Sequence, residues 1–345
     1  MSDTFLELAT ERPEELMELF ATRGWGDGLP MIPPTEDRVE AMLRATSGDP
    51  DEILYQLPPR LGEVTRRAIA VNAVLAGASP ELMPVIVTAV RAIGDPLVNI
   101  RGINATTHPT APLVIVHGEA VTDLGFNAGH GSFGPGNRAN ATVGRAIRFV
   151  LLHVGGARPG DGDASTQGAP SKYTYCVAEN LPASPWGSYP ESIGIDAPSA
   201  VTVHCAEGPH NIHEMWHEEP ELHLDFIASV MAPMGNNNAL ASNGEYFVAF
   251  GPEHAATISG AGWSRRDVQN YLFERARRPV REMRAHFGGG RAWAGWVEAL
   301  DDDDLMPLTG HPDNIRIFVT GGPGKHSSVI PSWGGTRSVT LPVEA

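Results

Sequence analysis

The chain is expected to fold as an α/β (or α+β) protein, with a mixed, partly parallel sheet flanked by helices and glycine-rich turns at its strand ends. Two observations lead there. Four β-rich runs end on glycine or a polar turn: APLVIVHGE (111–119), SAVTVHCAEGP (199–209), EYFVAFGPEH (245–254) and IRIFVTGGPGKHS (315–327). Near-continuous apolar runs of this kind suit strands covered on both faces. Three of the four are followed by helical patterns, at 140–154, 221–231 and 264–278, and such alternation is the signature of helices packed on a sheet.

The remaining elements follow in order. Residues 13–23 read as an amphipathic helix with Pro13 near its start. RGWGDGLPMIPPT is turn chemistry, after which Thr35, with Glu36 and Asp37 behind it, opens a second helix. Residues 62–78 and 80–93 read as two apolar helices, the first stopped near Gly77 and the second capped by Ser79. The 345 residues suit one large domain or two closely packed halves, with a candidate boundary dividing 1–195 from 196–345.

Composition narrows the function. With 42% hydrophobic and 19% charged residues the chain is globular. A net charge of −16 repels nucleic acid and anionic membranes, so neither is an expected partner. No apolar stretch approaches the ~20 residues of a bilayer span. The N-terminus, MSDTFLELATERPEEL, lacks a basic region followed by an apolar one, and two cysteines make no disulfide framework; a cytoplasmic location is expected. A small-molecule substrate is expected, and a homo-oligomer or a heteromeric partner subunit.

Four segments carry candidate chemistry. GHGSFGPGNRANATVGR matches GxGxxG at Gly129, Gly131 and Gly134, with Gly136 behind, and a helix follows. Amides at a helix start can hold an anion, helped by the positive charge of Arg138, Arg145 and Arg148, with Asn140 beside them as a further binding residue. The motif does not follow its strand directly and lacks the acidic residue of a dinucleotide site, so NAD is not expected; the bland alternative is an Ω-loop. In PSKYTYCVAENLPASPW, Cys176 lies near Lys172 and Glu179. A thiol beside a cation can become nucleophilic and a carboxylate can move protons; alternatively Cys176 is a core residue.

HNIHEMWHEEPELH contains HExxH at His213, Glu214 and His217, with His223 where a third zinc ligand would fall. On a helix the two histidines would share one face and Glu214 would be general base. Pro220 opposes that reading, because it limits any helix through the motif. GGPGKHS departs from the Walker pattern at Val319 and His326, so ATP is not expected; Lys325, His326 and Ser327 remain a candidate anion cradle, with His254 of GPEHA a weaker one.

Taken together, GWGDGLPMIPPT, NATTHPTAPLVIVHG (with His108), GPGNRANATVGRA, KYTYCVAEN, GPEHAATI, GWSRRDVQNYLFERAR and GGPGKHS resemble an uncharacterised bacterial family encoded beside UGSC-motif (seleno)proteins. The resemblance implies that the stretches around Cys176, Asn140 and Lys325 matter, and that HExxH is not a shared motif. Three functions are therefore carried forward. The first is an enzyme acting on a carboxylated or phosphorylated metabolite through Cys176 and Glu179. The second is a divalent-metal (zinc) hydrolase using His213, Glu214 and His217. The third is a non-catalytic subunit of a two-component enzyme.

Overall fold

The computed structural model describes residues 12–235, 237–238, 243–286 and 299–344. Residues 1–11, part of the N-terminal stretch expected to carry no signal segment, lie outside them. The strands are β1 (Ile53–Leu57), β2 (Gly62–Thr65), β3 (Ala111–Gly118), β4 (Arg158–Pro159), β5 (Gly162–Asp163), β6 (Cys176–Ala178) and β7 (Ser199–Ala206). There follow β8 (His210–His213), β9 (Tyr246–Phe250), β10 (Arg277–Pro279), β11 (Leu305–Pro307), β12 (Ile315–Val319), β13 (His326–Pro331) and β14 (Val339–Pro342).

Two four-stranded sheets carry the fold, ordered β14-β7-β3-β6 and β12-β9-β13-β8. Both are mixed: β3 with β6, and β9 with β12, run parallel, while the other neighbours are antiparallel. They stack face to face. Side chains alternate along a strand, so Leu113 and Ile115 of β3 meet Phe247, Phe318 and Ile330 in the layer between the sheets. Val114 and Val116 point outward, against helices Arg66–Ala76, Met83–Ile93 and Arg138–His153. On the far side, Tyr246, Val248 and Phe250 pack on helices Pro220–Met231, Pro252–Gly260 and Arg265–Arg275. The apolar runs are thus covered twice, by a second sheet on one face and by helices on the other.

Local signals account for most boundaries. Ser264 and Asp267 close a capping box at the start of Arg265–Arg275. Residues 62–65, expected to be helical, instead pair with β1 as β2, and Thr65 caps the helix through the Ala68 amide. The candidate boundary at 196 does not separate the sheets, because β7 and β14 both belong to the first. Among the described residues no single helix is long and apolar enough to cross a membrane.

Each sheet has the same internal order: a parallel pair, then two antiparallel strands. The last strand comes from the other half of the chain, β8 following β7 into the second sheet and β14 following β13 into the first. Helix Met83–Ile93 packs on β7 and β14 as Pro220–Met231 packs on β13 and β8. The molecule therefore has an internal pseudo-twofold topology with exchanged edge strands.

Candidate metal centre

HExxH does not lie on a helix. His210–His213 is strand β8, paired with β13 so that His213 opposes His326. The chain then turns through 214–219, and Pro220 opens the following helix, as its fixed φ favours. His213 consequently points into solvent, its ring stacked on His326 at 5.1 Å and 11°. The expected pair of histidine ligands at i and i+4, His213 and His217, is not formed.

Glu214 turns inward instead and is fully buried. One carboxylate oxygen accepts the amides of Trp216 (2.9 Å) and His217 (3.1 Å), and lies 2.9 Å from His217 Nδ1. The other is 3.1 Å from Nε2 of His223, which helix Pro220–Met231 brings in from above. His254 arrives from helix Pro252–Gly260: its Nε2 is 2.8 Å from the Glu214 carbonyl oxygen and its Nδ1 2.8 Å from Ser327 Oγ. The His223 and His254 rings meet edge to face, 5.0 Å apart. Donor atoms of Glu214, His223 and His254 all lie within 4.8 Å of one another, and all three residues are buried.

The protonation states suit a cation. Burial raises the Glu214 pKa, but the Trp216 amide, the ring and amide of His217, and His223 outweigh it and hold it at about 2. Burial pushes His254 below its ordinary value, against the pull of the Glu214 carbonyl, so its imidazole is neutral near pH 7. A carboxylate and a neutral imidazole are the forms that bind metal. His223 Nδ1 is buried without a hydrogen-bond partner, which marks the cluster as incomplete by protein contacts alone. Glu214, His223 and His254 could hold a metal ion, with the Ser327 hydroxyl orienting the His254 ring from behind.

The other expected site residues are scattered. Cys176 lies in the core on the helix-facing side of β6, and burial raises its thiol pKa, which disfavours the thiolate. Glu179 points the opposite way, buried against His117 Nδ1 at 2.7 Å. Lys172 is bound by Asp163 at 2.7 Å. The proposed Cys176–Lys172–Glu179 constellation is therefore not assembled.

The glycine-rich loop is likewise occupied by its own chain. Asn137 caps the helix through the Asn140 amide, and the Asn140 side chain grips both backbone groups of Asn127. Gly134 and Gly136 shape the turn, the former donating to the Gly131 carbonyl at 2.7 Å. Arg138 reaches the Gly77 carbonyl, and Arg145 forms a bidentate pair with Asp27 at 2.7 and 2.8 Å. Among the described residues, Arg138 and Arg145 are thus engaged by the chain itself and do not converge on the helix start. His108 pairs with Glu207 at 2.9 Å.

The GGPGKHS turn splits three ways. Lys325 donates to the Met215 carbonyl at 3.2 Å, His326 lies on His213, and Ser327 is buried beside His254. Glycines permit close approach on both sides of this turn: a Cβ on its Gly322 would meet His130 at 2.3 Å, and one on Gly251 of GPEHA would meet the His326 carbonyl at 2.1 Å. Lys325, with Met215 and Trp216, thus forms the exposed rim over the Glu214 cluster.

His254, expected as a weaker anion-cradle residue, instead joins Glu214 and His223. Its signal was present: Gly251-Pro252 after a strand starts a helix, and the third helical residue then faces inward. No protein-family model matches this chain, and no curated protein or solved structure matches it either.

Proposed function

We propose that the protein is a metal-dependent hydrolase of a small anionic molecule, with a divalent ion such as zinc held by Glu214, His223 and His254. The observation that carries this reading is the convergence of three buried donors, from the end of β8 and from two different helices, within 4.8 Å. Two histidines and one glutamate are a donor set that leaves a coordination position for water. A bound ion would supply Lewis-acid polarisation at this site. His217, hydrogen-bonded to Glu214 and partly exposed, is placed to accept a proton at the solvent edge. Lys325 supplies positive charge on the rim, and the exposed Trp216 and Met215 offer apolar surface to a substrate.

The test is metal analysis of protein purified without an immobilised-nickel step. About one equivalent of a divalent transition metal is expected, falling to background in His223→Ala and His254→Ala. Hydrolysis of a panel of phosphate and carboxylate esters should disappear on chelation and return with zinc. Absence of stoichiometric metal, together with no uptake on dialysis against zinc, would end the proposal.

A further inference from the structure

A second site lies in the other outer layer, and its side chains define a ligand chemistry. A cavity of about 560 Å3 opens between the Gly26–Asp27 turn, helix Arg138–His153 and residues 159–173. That volume falls within the range of about 300–1,000 Å3 usual for small-molecule pockets. Its floor is Asp163, almost wholly buried, which binds Lys172 Nζ at 2.7 and 2.9 Å and Arg148 Nη2 at 3.1 Å. Two cations on one carboxylate leave one positive charge in excess. The other lining carboxylate, Asp27, does not cancel it, because Arg145 already holds it bidentately.

Arg148 uses only Nη2 in its contacts, with Asp163 and the Ala157 carbonyl. Its remaining donors are left to a ligand. A second hollow, of about 10 Å3, shares Arg148 and Lys172 as wall and is lined also by Thr110 and Ser171. It has room for one water-sized group. The Thr110 and Ser171 hydroxyls are both buried there without a hydrogen-bond partner. Buried hydroxyls normally find partners, so an acceptor belongs between them and the two cations. The outer cavity is walled by apolar Leu152, Pro159 and Pro170, with Tyr173 half-exposed at its mouth.

We propose that this cavity binds a small monocarboxylate with an apolar body, its carboxylate on Arg148 and Lys172 and its body against Tyr173. A planar carboxylate matches the guanidinium fork, and one negative charge neutralises the excess. None of the lining residues belongs to the Glu214 cluster, so the inference stands apart from the metal reading.

Calorimetric titration with acetate, benzoate and benzamide tests it. Saturable benzoate binding is expected, with the uncharged isostere benzamide at least about tenfold weaker and acetate weaker than benzoate. The same affinities are expected after chelation, which separates this site from the metal centre. Arg148→Met should weaken benzoate about tenfold or more, its folding being checked by circular dichroism. Tyr173→Ala, at the exposed mouth, should weaken benzoate severalfold and leave acetate unchanged, and it keeps the test open if the first variant does not fold. No saturable binding of either carboxylate, equal binding of benzamide, or full affinity in both variants would overturn the proposal.

Discussion

His204 offers the sharpest test of how the interior of this fold is balanced. It sits between the two sheets, fully buried, its ring 4.5 Å from that of Phe247. Neither ring nitrogen makes a hydrogen bond of normal geometry. The nearest carboxylate, Glu245, is 3.9 Å away and already committed to Arg316 and the Ser338 amide. Burial pushes the His204 pKa down to about 4, overcoming the pull of Glu245. In the unfolded chain it titrates near 6.5. Between those values the unfolded state binds a proton that the folded state refuses, so the contribution is complete above about pH 6.5 and is lost as pH falls towards 4. A gap of about 2.5 pH units corresponds to about 3 kcal/mol, a sizeable share of a typical domain's 5–15 kcal/mol.

His204→Leu removes the titrating group and two unsatisfied nitrogens at similar volume. At pH 7 the variant should be more stable than wild type by about 1–3 kcal/mol. Its loss of stability between pH 6.5 and 4 should be smaller by about 3 kcal/mol. His153, also held at about 4 by burial, keeps part of the slope in both proteins. Urea unfolding followed by tryptophan fluorescence at pH 4.5, 5.5 and 7 measures both effects. A variant less stable at pH 7 that retained the full wild-type slope would refute the reasoning.

Other consequences are simpler. A Cβ at Gly144 would lie 2.5 Å from the Tyr175 amide nitrogen, so Gly144→Ala should cost about 1–3 kcal/mol, read as a lowered urea midpoint. Cys176 and Cys205 are both free and buried; Ellman's reagent should label neither in the native protein and both after denaturation, and rapid native labelling would contradict the placement. Asp27→Asn breaks the partly buried pair with Arg145; it should cost about 2–3 kcal/mol and open the 24–30 turn to limited proteolysis.

The apolar runs at 111–119 and 315–319 are legible as doubly covered strands, but the run itself does not say whether a helix or another sheet covers it. The stacking of two sheets was therefore hidden, although Leu113 and Phe247 mark it by alternation. Glycine was the more misleading signal. GGPGKHS and GPEHA read as anion cradles, yet their Gly322 and Gly251 are each needed because another part of the chain passes within a Cβ's reach. HExxH located the right stretch with the wrong geometry: Pro220 broke the helix, Glu214 and His223 kept their place, and a histidine 31 residues beyond His223 completed the set. Such a partner is a matter of tertiary topology and has no local spacing to betray it.

The pseudo-twofold topology supplies an internal control on that donor set. Glu214 follows β8 at the edge of the second sheet; Glu344 follows β14 at the edge of the first. Glu214 is met by His223 from helix Pro220–Met231, whereas Glu344 is met by Arg91 from the corresponding helix Met83–Ile93, and by Arg66 at 3.3 Å. His254 lies three residues past Gly251, whose amide donates to Ser327 Oγ at 3.1 Å. Three residues past Gly118, in the equivalent turn, stands Val121, and the nearby Ala120 amide donates to Ser199 Oγ at 2.9 Å. The fold thus closes this corner once with arginine and valine and once with two imidazoles. The equivalent corner is thus closed without a histidine. His254→Val, which copies the other half, leaves the Glu214 carbonyl and the Ser327 hydroxyl without the imidazole; it should cost about 2–4 kcal/mol, still fold, and lose bound metal. Unfolding of that variant would show instead that the imidazole holds the corner together, and would reduce Glu214, His223 and His254 to a structural cluster.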